Sequence, residues 1–189
     1  MHLYQLGVGG DPGAAGWGAL TPGERMRAAS IRDRQRRNRF VARRAALHAV
    51  LRDYGDVCVS TAHSGDVAAV AVSPRRVGVD IEIETIRRLQ DRIAARMFAP
   101  DERRVLAAAA DDDRRRLFHR CWVAKEAYAK GLGQGLAIRF DEFSVTSALR
   151  SPDGIGAVGR DWTVAVTTRG DVHVAVAAPG GGLEVVRVG

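Results

Sequence analysis

Strict alternation of apolar and polar residues in Val77-Gly78-Val79-Asp80-Ile81-Glu82-Ile83 predicts a strand with Val79, Ile81 and Ile83 on one face and Asp80 and Glu82 on the other. Two runs rich in Val and Ala, Val57–Ser60 and Val67–Val72, come before it, and Ala62-His63-Ser64-Gly65-Asp66 between them marks a hairpin. Ser73-Pro74 breaks the pattern ahead of the third strand. Upstream, Thr21-Pro22-Gly23-Glu24 reads as a helix start, with Thr21 as the cap, Pro22 at the first helical position and Glu24 three residues after the cap. One or two helical segments should follow to about Arg52, with Phe40, Leu47 and Leu51 on an apolar stripe, and Gly55 ends the region.

Ala99-Pro100-Asp101-Glu102 repeats the helix-start chemistry. A longer helix is expected from about Arg114 to Lys130, stopping at Gly131, because glycine is the usual residue just past a helix end. Strands are predicted at Phe143–Thr146, Trp162–Thr168 and Val172–Ala177, with turns at Pro152-Asp153-Gly154 and Arg169-Gly170-Asp171. Helices followed by strands therefore occur twice, without a close internal repeat, which predicts an α+β fold of two halves, residues 1–85 and 86–189, packed side by side.

The 189 residues, 46% of them hydrophobic, suffice for one substantial core or two small adjoining ones. No apolar run of about 18 residues is present, and the start MHLYQLGVGG lacks the basic and apolar regions of a signal peptide, so a cytoplasmic protein without membrane spans is expected. Cys58 and Cys121 have no metal-ligand spacing and read as small reduced thiols. The net charge of +7 points to anionic partners without choosing among nucleic acid, a phosphate-rich cofactor and an acidic protein. Only two of the 29 basic residues are lysine, Lys125 and Lys130, and both lie in Trp122–Leu136, WVAKEAYAKGLGQGL. On a helix, Trp122, Glu126 and Lys130 share one stripe with Lys125 beside it. Either a solvated Glu-to-Lys pair or a site accounts for that stripe alone, and an acidic outer strand face equally accounts for Asp80 and Glu82. Together, three carboxylates and two lysines suit a metal-bound pyrophosphate, since Mg²⁺ takes oxygen ligands and ammonium groups offset phosphate charge.

Gly78–Glu82 (GVDIE), followed some forty residues later by WVAKEAYAKGLGQGL, resembles the paired signature of the 4′-phosphopantetheinyl transferases in their longer, surfactin-type branch. His63-Ser64-Gly65, Arg96-Met97-Phe98 and Asp141-Glu142-Phe143-Ser144-Val145 match further segments of that family, over roughly residues 21 to 147. The resemblance implies two similar α+β halves related by a pseudo-twofold axis, with the active site between them. It implies transfer of the phosphopantetheine arm of coenzyme A, the co-substrate, to a serine of an apo acyl or peptidyl carrier protein, releasing 3′,5′-ADP. Asp80, Glu82 and Glu126 would hold Mg²⁺, with Glu126 also the base for the serine hydroxyl. Lys130 would protonate or neutralise the leaving phosphate, Lys125 would contact the coenzyme A phosphates, and Arg44 and His63 would bind the nucleotide end. One chain supplies the whole site, so a monomer is expected.

The chain departs from the family pattern where a Gly-Lys-Pro segment usually precedes the histidine turn; here Tyr54-Gly55-Asp56-Val57 runs almost directly into it. Two rival readings stand beside the transferase. The arginine-dense stretch from Glu24 to Arg44 would suit nucleic acid phosphates, although the three carboxylates would oppose them. A degenerate family member would bind coenzyme A without catalysis.

Overall fold

The computed structural model describes residues 1–85, 90–180 and 186–188. Helices and two four-stranded, largely antiparallel sheets make up the expected α+β fold. The first sheet has the order β2 (Cys58–Ser64), β3 (Val67–Ser73), β1 (His2–Gly7), β8 (Val186–Val188), and the second the order β4 (Gly78–Ile83), β7 (Val172–Pro179), β6 (Trp162–Arg169), β5 (Ile155–Val158). Inner strands read as near-continuous small apolar runs: Ala68 to Val72 of β3 and Val174 to Ala177 of β7 are buried. The edge strand β2 instead alternates exposed and half-buried positions, with Thr61 and His63 on its open side.

The hairpin of β2 and β3 forms as expected, but β4 leaves its sequence neighbours and pairs with β7, Asp80 opposite Ala175 and Glu82 opposite His173. The expected division after residue 85 falls beside residues 86–89, outside the described residues, and β4 and β8 each join strands from the other side of it. Edge strands β2 and β4 meet through side chains. The Val79 N–H donates to the Ser60 hydroxyl at 3.0 Å and the Ile83 N–H to Ser64 at 3.1 Å, while Ser64 donates to Glu82 at 2.9 Å. Hydroxyls thus satisfy edge N–H groups that an open strand leaves to solvent.

Alternation along β4 sorts its residues as the sequence predicts. Val79 and Ile81 enter a core between the sheets with Leu3, Ala69, Val174 and Val176, leaving Gly78, Asp80 and Glu82 on the opposite face. That face carries the helix α6 (Asp111–Leu132), whose Phe118, Ala124, Ala127 and Tyr128 cover Val164, Val166, Ala175 and Ala177. The N-terminal helices α1 (Gly13–Gly18), α2 (Pro22–Ser30) and α3 (Arg34–Leu51) close a third, small core around Leu20, Ala28 and Val41. At the start of α2 the capping box is complete: Glu24 N–H donates to the Thr21 hydroxyl at 3.3 Å, and Thr21 N–H donates to Glu24 at 2.9 Å. Between the sheet-forming regions lie α4 (Gln90–Met97) and α5 (Pro100–Ala107).

Two sequence expectations are corrected. Helix α6 begins three residues earlier than expected and passes through Gly131 to end at Gly133, which takes the left-handed conformation (φ 71°) that closes a helix. Gly131 serves packing instead: an added Cβ there would lie 2.5 Å from the Trp162 ring, and one on Gly78 would lie 1.9 Å from the Ala127 carbonyl oxygen. The two glycines let the last turns of α6 rest directly on the start of β4. The strand expected at Phe143–Thr146 is absent; a 3₁₀ turn (Phe140–Glu142) leads into α7 (Thr146–Arg150). The cause is a buried ion pair. Lys125, fully enclosed, donates to both oxygens of Glu102, at 2.8 and 2.7 Å, and to the Phe143 carbonyl at 2.7 Å, while Glu102 also accepts from Ala99 and Val145 N–H. The Phe143 carbonyl and the Val145 N–H are thereby spent on side chains, and the Val145 carbonyl accepts from the first turn of α7, which leaves no ladder to join.

Replacing Lys125 by Met should leave the Glu102 charge buried and lower unfolding free energy by about 3–5 kcal/mol in urea titrations, with partial recovery in the Lys125→Met/Glu102→Gln double variant. Gly78→Ala should destabilise by about 3 kcal/mol, at the upper end of overpacking costs, and read out as a fall in melting temperature of roughly 6–12 °C.

Candidate active site

Along the contact of β4 with α6, the two signature segments meet side by side. Gly78 touches Ala127 and Gly131, and one pleat further on, the Lys130 ammonium donates to Asp80 Oδ1 at 2.7 Å. Glu82 and Glu126 lie close enough to raise the pKa of Asp80, and Glu82 that of Glu126. For Asp80, burial is the leading cause and pushes its pKa up to about 6, with Lys130 opposing and Glu126 and Glu82 adding to the rise. Burial also leads in raising Glu126, against the pull of Lys130. Asp80 is only 7% exposed, and its Oδ2 has no hydrogen-bond partner among the described residues. Trp122 stacks on Phe140, 5.9 Å between ring centroids, and packs against the core under α6.

A groove of about 380 Å³ runs from Asp80 and Lys130 to the arginines of α3, walled by Phe40, Arg43, Thr61 and His63. An adjoining hollow of about 230 Å³ is lined by Arg36, Arg39, Arg43, His63 and Gly65. Residues 36, 39 and 43 fall on one stripe of α3 at helical spacing, which turns them toward the β2–β3 hairpin. Arg43 is half-buried, has no ion-pair partner among the described residues, and its pKa is lowered by burial and by the charge of Arg39. An anion would relieve both effects. Arg39 is bound to Asp66.

The sequence-predicted residues divide accordingly. Asp80, Glu82, Glu126 and Lys130 are brought together, and His63 faces the other end of the same groove. Arg44 lines the groove, but its guanidinium is held by Glu24, which also binds His48 at 2.8 Å. Burial pushes Glu24 up, yet hydrogen bonds from His48, Thr21 and Arg44 outweigh it and hold the carboxyl at about 2. Lys125 does not reach the groove, because all three of its protons are committed to Glu102 and Phe143 in the core. Arg43, Arg39 and Arg36 were missed by sequence reasoning; their i, i+3, i+7 spacing was the available signal, masked by arginines on every face of α3.

The acidic cluster fits a divalent cation in its chemistry. Its donors are all carboxylate oxygens, and one of them, Asp80 Oδ2, is buried without a hydrogen-bond partner among the described residues. Among the described residues no three donor side chains are yet gathered around one point, and Lys130 occupies the other Asp80 oxygen.

Asp80 binds its proton more tightly folded (pKa about 6) than unfolded (3.8), so its contribution to stability is most favourable below pH 4 and declines as pH rises to about 6. The gap of about two pH units corresponds to about 3 kcal/mol. Metal-free urea titrations from pH 4 to 7.5 should therefore show Asp80→Asn gaining about 3 kcal/mol relative to wild type across that range, and parallel pH profiles would contradict the buried, charged state assigned to Asp80.

Comparison with known proteins places this geometry in a family. The model of the 4′-phosphopantetheinyl transferase superfamily matches residues 76–177, a little over half of the chain and the segment that holds β4, α6 and most of β7. A 4′-phosphopantetheinyl transferase of Bacillus subtilis is 34% identical over 90 residues, covering 48% of this chain and 39% of the relative. The 4′-phosphopantetheinyl transferase psf-1 of Bacillus pumilus is 31% identical over 110 residues, 55% of this chain and 46% of its own. The 4′-phosphopantetheinyl transferase HetI of Nostoc is 31% identical over 91 residues, 48% and 38% of the two chains. The matches thus span less than half the length of each of these relatives. On the strength of the family match and of the seam where its two motifs meet, the chain belongs to the 4′-phosphopantetheinyl transferase superfamily.

Proposed function

We propose that this protein transfers the 4′-phosphopantetheine arm of coenzyme A to a serine hydroxyl of an apo acyl or peptidyl carrier protein, with 3′,5′-ADP as the leaving group. The observation that carries the reading is one groove with half-buried Arg43, which has no ion-pair partner among the described residues, beside His63 at one end and Asp80 with Lys130 at the other. A nucleotide with a terminal phosphate and an internal pyrophosphate carries two separate charged groups for those two ends. Arg43 and His63, with Arg39 and Arg36 beside them, are suited to the nucleotide phosphate, and Arg44 to the groove wall. These arginines take the place of the lysine that the missing Gly-Lys-Pro segment would bring.

Asp80, Glu82 and Glu126 would hold Mg²⁺, which supplies charge neutralisation for the pyrophosphate when bound. Glu126, half-buried with a raised pKa, accepts the proton of the carrier serine as its oxygen bonds to phosphorus. Lys130, on the groove wall, offsets or protonates the phosphate oxygen that departs when the phosphorus–oxygen bond to 3′,5′-ADP breaks. Lys125 acts at one remove, fixing the turn after α6 through Phe143. One chain contributes both ends of the groove, which is compatible with action as a monomer, and carrier proteins of this kind place the reaction in the cytoplasm. No helix of the described residues is long and apolar enough to cross a membrane.

The reading is tested by intact mass spectrometry of purified apo carrier proteins incubated with the protein, coenzyme A and Mg²⁺, with an EDTA control. A gain of one phosphopantetheine group, lost with EDTA, is expected. Glu126→Gln should lower the rate by about 10²–10⁴-fold while coenzyme A binding measured without Mg²⁺ stays unchanged. Tight coenzyme A binding without any mass gain would favour a binding protein over a transferase, and salt-sensitive nucleic acid binding with no coenzyme A affinity would return the arginines to the rival reading.

A further inference from the structure

The acidic cluster has a feature that the transfer reaction alone does not require. The residue best placed to meet phosphate, Lys130, spends its ammonium on Asp80, one of the residues best placed to meet a metal. Asp80 is more than nine-tenths buried, with Glu82 and Glu126 as neighbours, and its second oxygen has no partner among the described residues. A buried carboxylate among like charges needs a cation, and Lys130 provides the one seen. The two lysines differ in how they are held. Lys125 is fully enclosed and donates three hydrogen bonds, whereas the Lys130 side chain is 31% exposed, lines the groove and sits on the last turn of α6.

We propose that Lys130 is an internal stand-in for the divalent cation, holding Asp80 in a closed pair that must open before the three carboxylates can take metal. The inference rests on the reading of this site as a metal and pyrophosphate site, and adds the order in which it assembles. Opening the pair exchanges partners twice: Asp80 gives up an ammonium for a metal ion, and Lys130 gives up a carboxylate for a phosphate. Each exchange made alone is weakened, because it leaves one charge without its former partner. Metal and nucleotide therefore bind cooperatively, each raising the affinity of the other by the same factor. The pair also explains why, among the described residues, no three donors are gathered around one point.

The chain's lysine content makes the test direct, since protein labelled with ¹³C,¹⁵N-lysine carries two lysine side-chain signals. In coenzyme A-free protein titrated with Mg²⁺ alone, the Lys130 signals should move toward those of a solvated lysine while the Lys125 signals stay in place. Calorimetry at pH 8 should show Lys130→Met binding Mg²⁺ alone about tenfold more tightly than wild type, a difference of 1.4 kcal/mol. Lys130→Gln, which keeps a polar chain of similar girth, gives the same comparison if circular dichroism shows the methionine variant misfolded. Three outcomes overturn the proposal: Lys130 signals that stay fixed while Mg²⁺ binds, a charge-free variant that binds Mg²⁺ no more tightly than wild type, or no Mg²⁺ binding by either protein. The carrier mass assay run on wild type separates the two levels. Transfer together with any of these outcomes removes the stand-in and leaves the transferase; no transfer and no Mg²⁺ binding even with coenzyme A removes both.

Discussion

Everything at the candidate site depends on the contact between Gly78 and the last turns of α6. Two positions without side chains allow backbone to rest on backbone, and an added methyl on Gly78 would collide with the Ala127 carbonyl. That approach sets the register of strand against helix, so that Asp80 meets Lys130 and the Glu82 carboxylate is felt by Glu126. Were α6 held further out, the same residues would be two unrelated polar surfaces. The chemistry of the acidic residues is thus inherited from a packing constraint made by residues that have no chemistry of their own.

What could be read from the sequence followed the strength of local rules. Alternation placed Asp80 and Glu82 on one face and Val79 and Ile81 in the core, and the Thr21–Glu24 box fixed the start of α2, because both patterns act within a few residues. Glycine was the ambiguous letter. Gly131 looked like a helix stop and proved to be a contact surface, while Gly133, two residues on, does the stopping. Phe143–Thr146 has strand-like composition, yet Lys125 and Glu102, distant in sequence, take the Phe143 carbonyl and the Val145 N–H. The company that β4 keeps, with β7 and not with β3, was also invisible, since its own residues suit either sheet.

The lysines show the same limit at the level of single atoms. Five residues apart in one helix, they differ in fate because Lys125 points into the core, where Glu102 waits, and Lys130 points along β4. No scale of propensity or charge separates them. The arginine stripe of α3 was obscured for the opposite reason: basic residues are so frequent there that position on the helix, and not identity, marks the ones that matter.

The strand order carries a consequence for how the molecule comes into being. Residues 2–4 of β1 pair in parallel with residues 186–188 of β8, and β4 must wait for β7, nearly ninety residues later. Both sheets are therefore completed only by strands that follow much later in the sequence. Contacts of such long sequence separation slow folding, because loop-closure entropy is lost before the pairing that offsets it. During synthesis β4 emerges without its hydrogen-bonding neighbour, so both sheets stay incomplete until β7 and β8 leave the ribosome. The motif that begins at Gly78 is among the earlier parts of the site to be made and among the later to be secured.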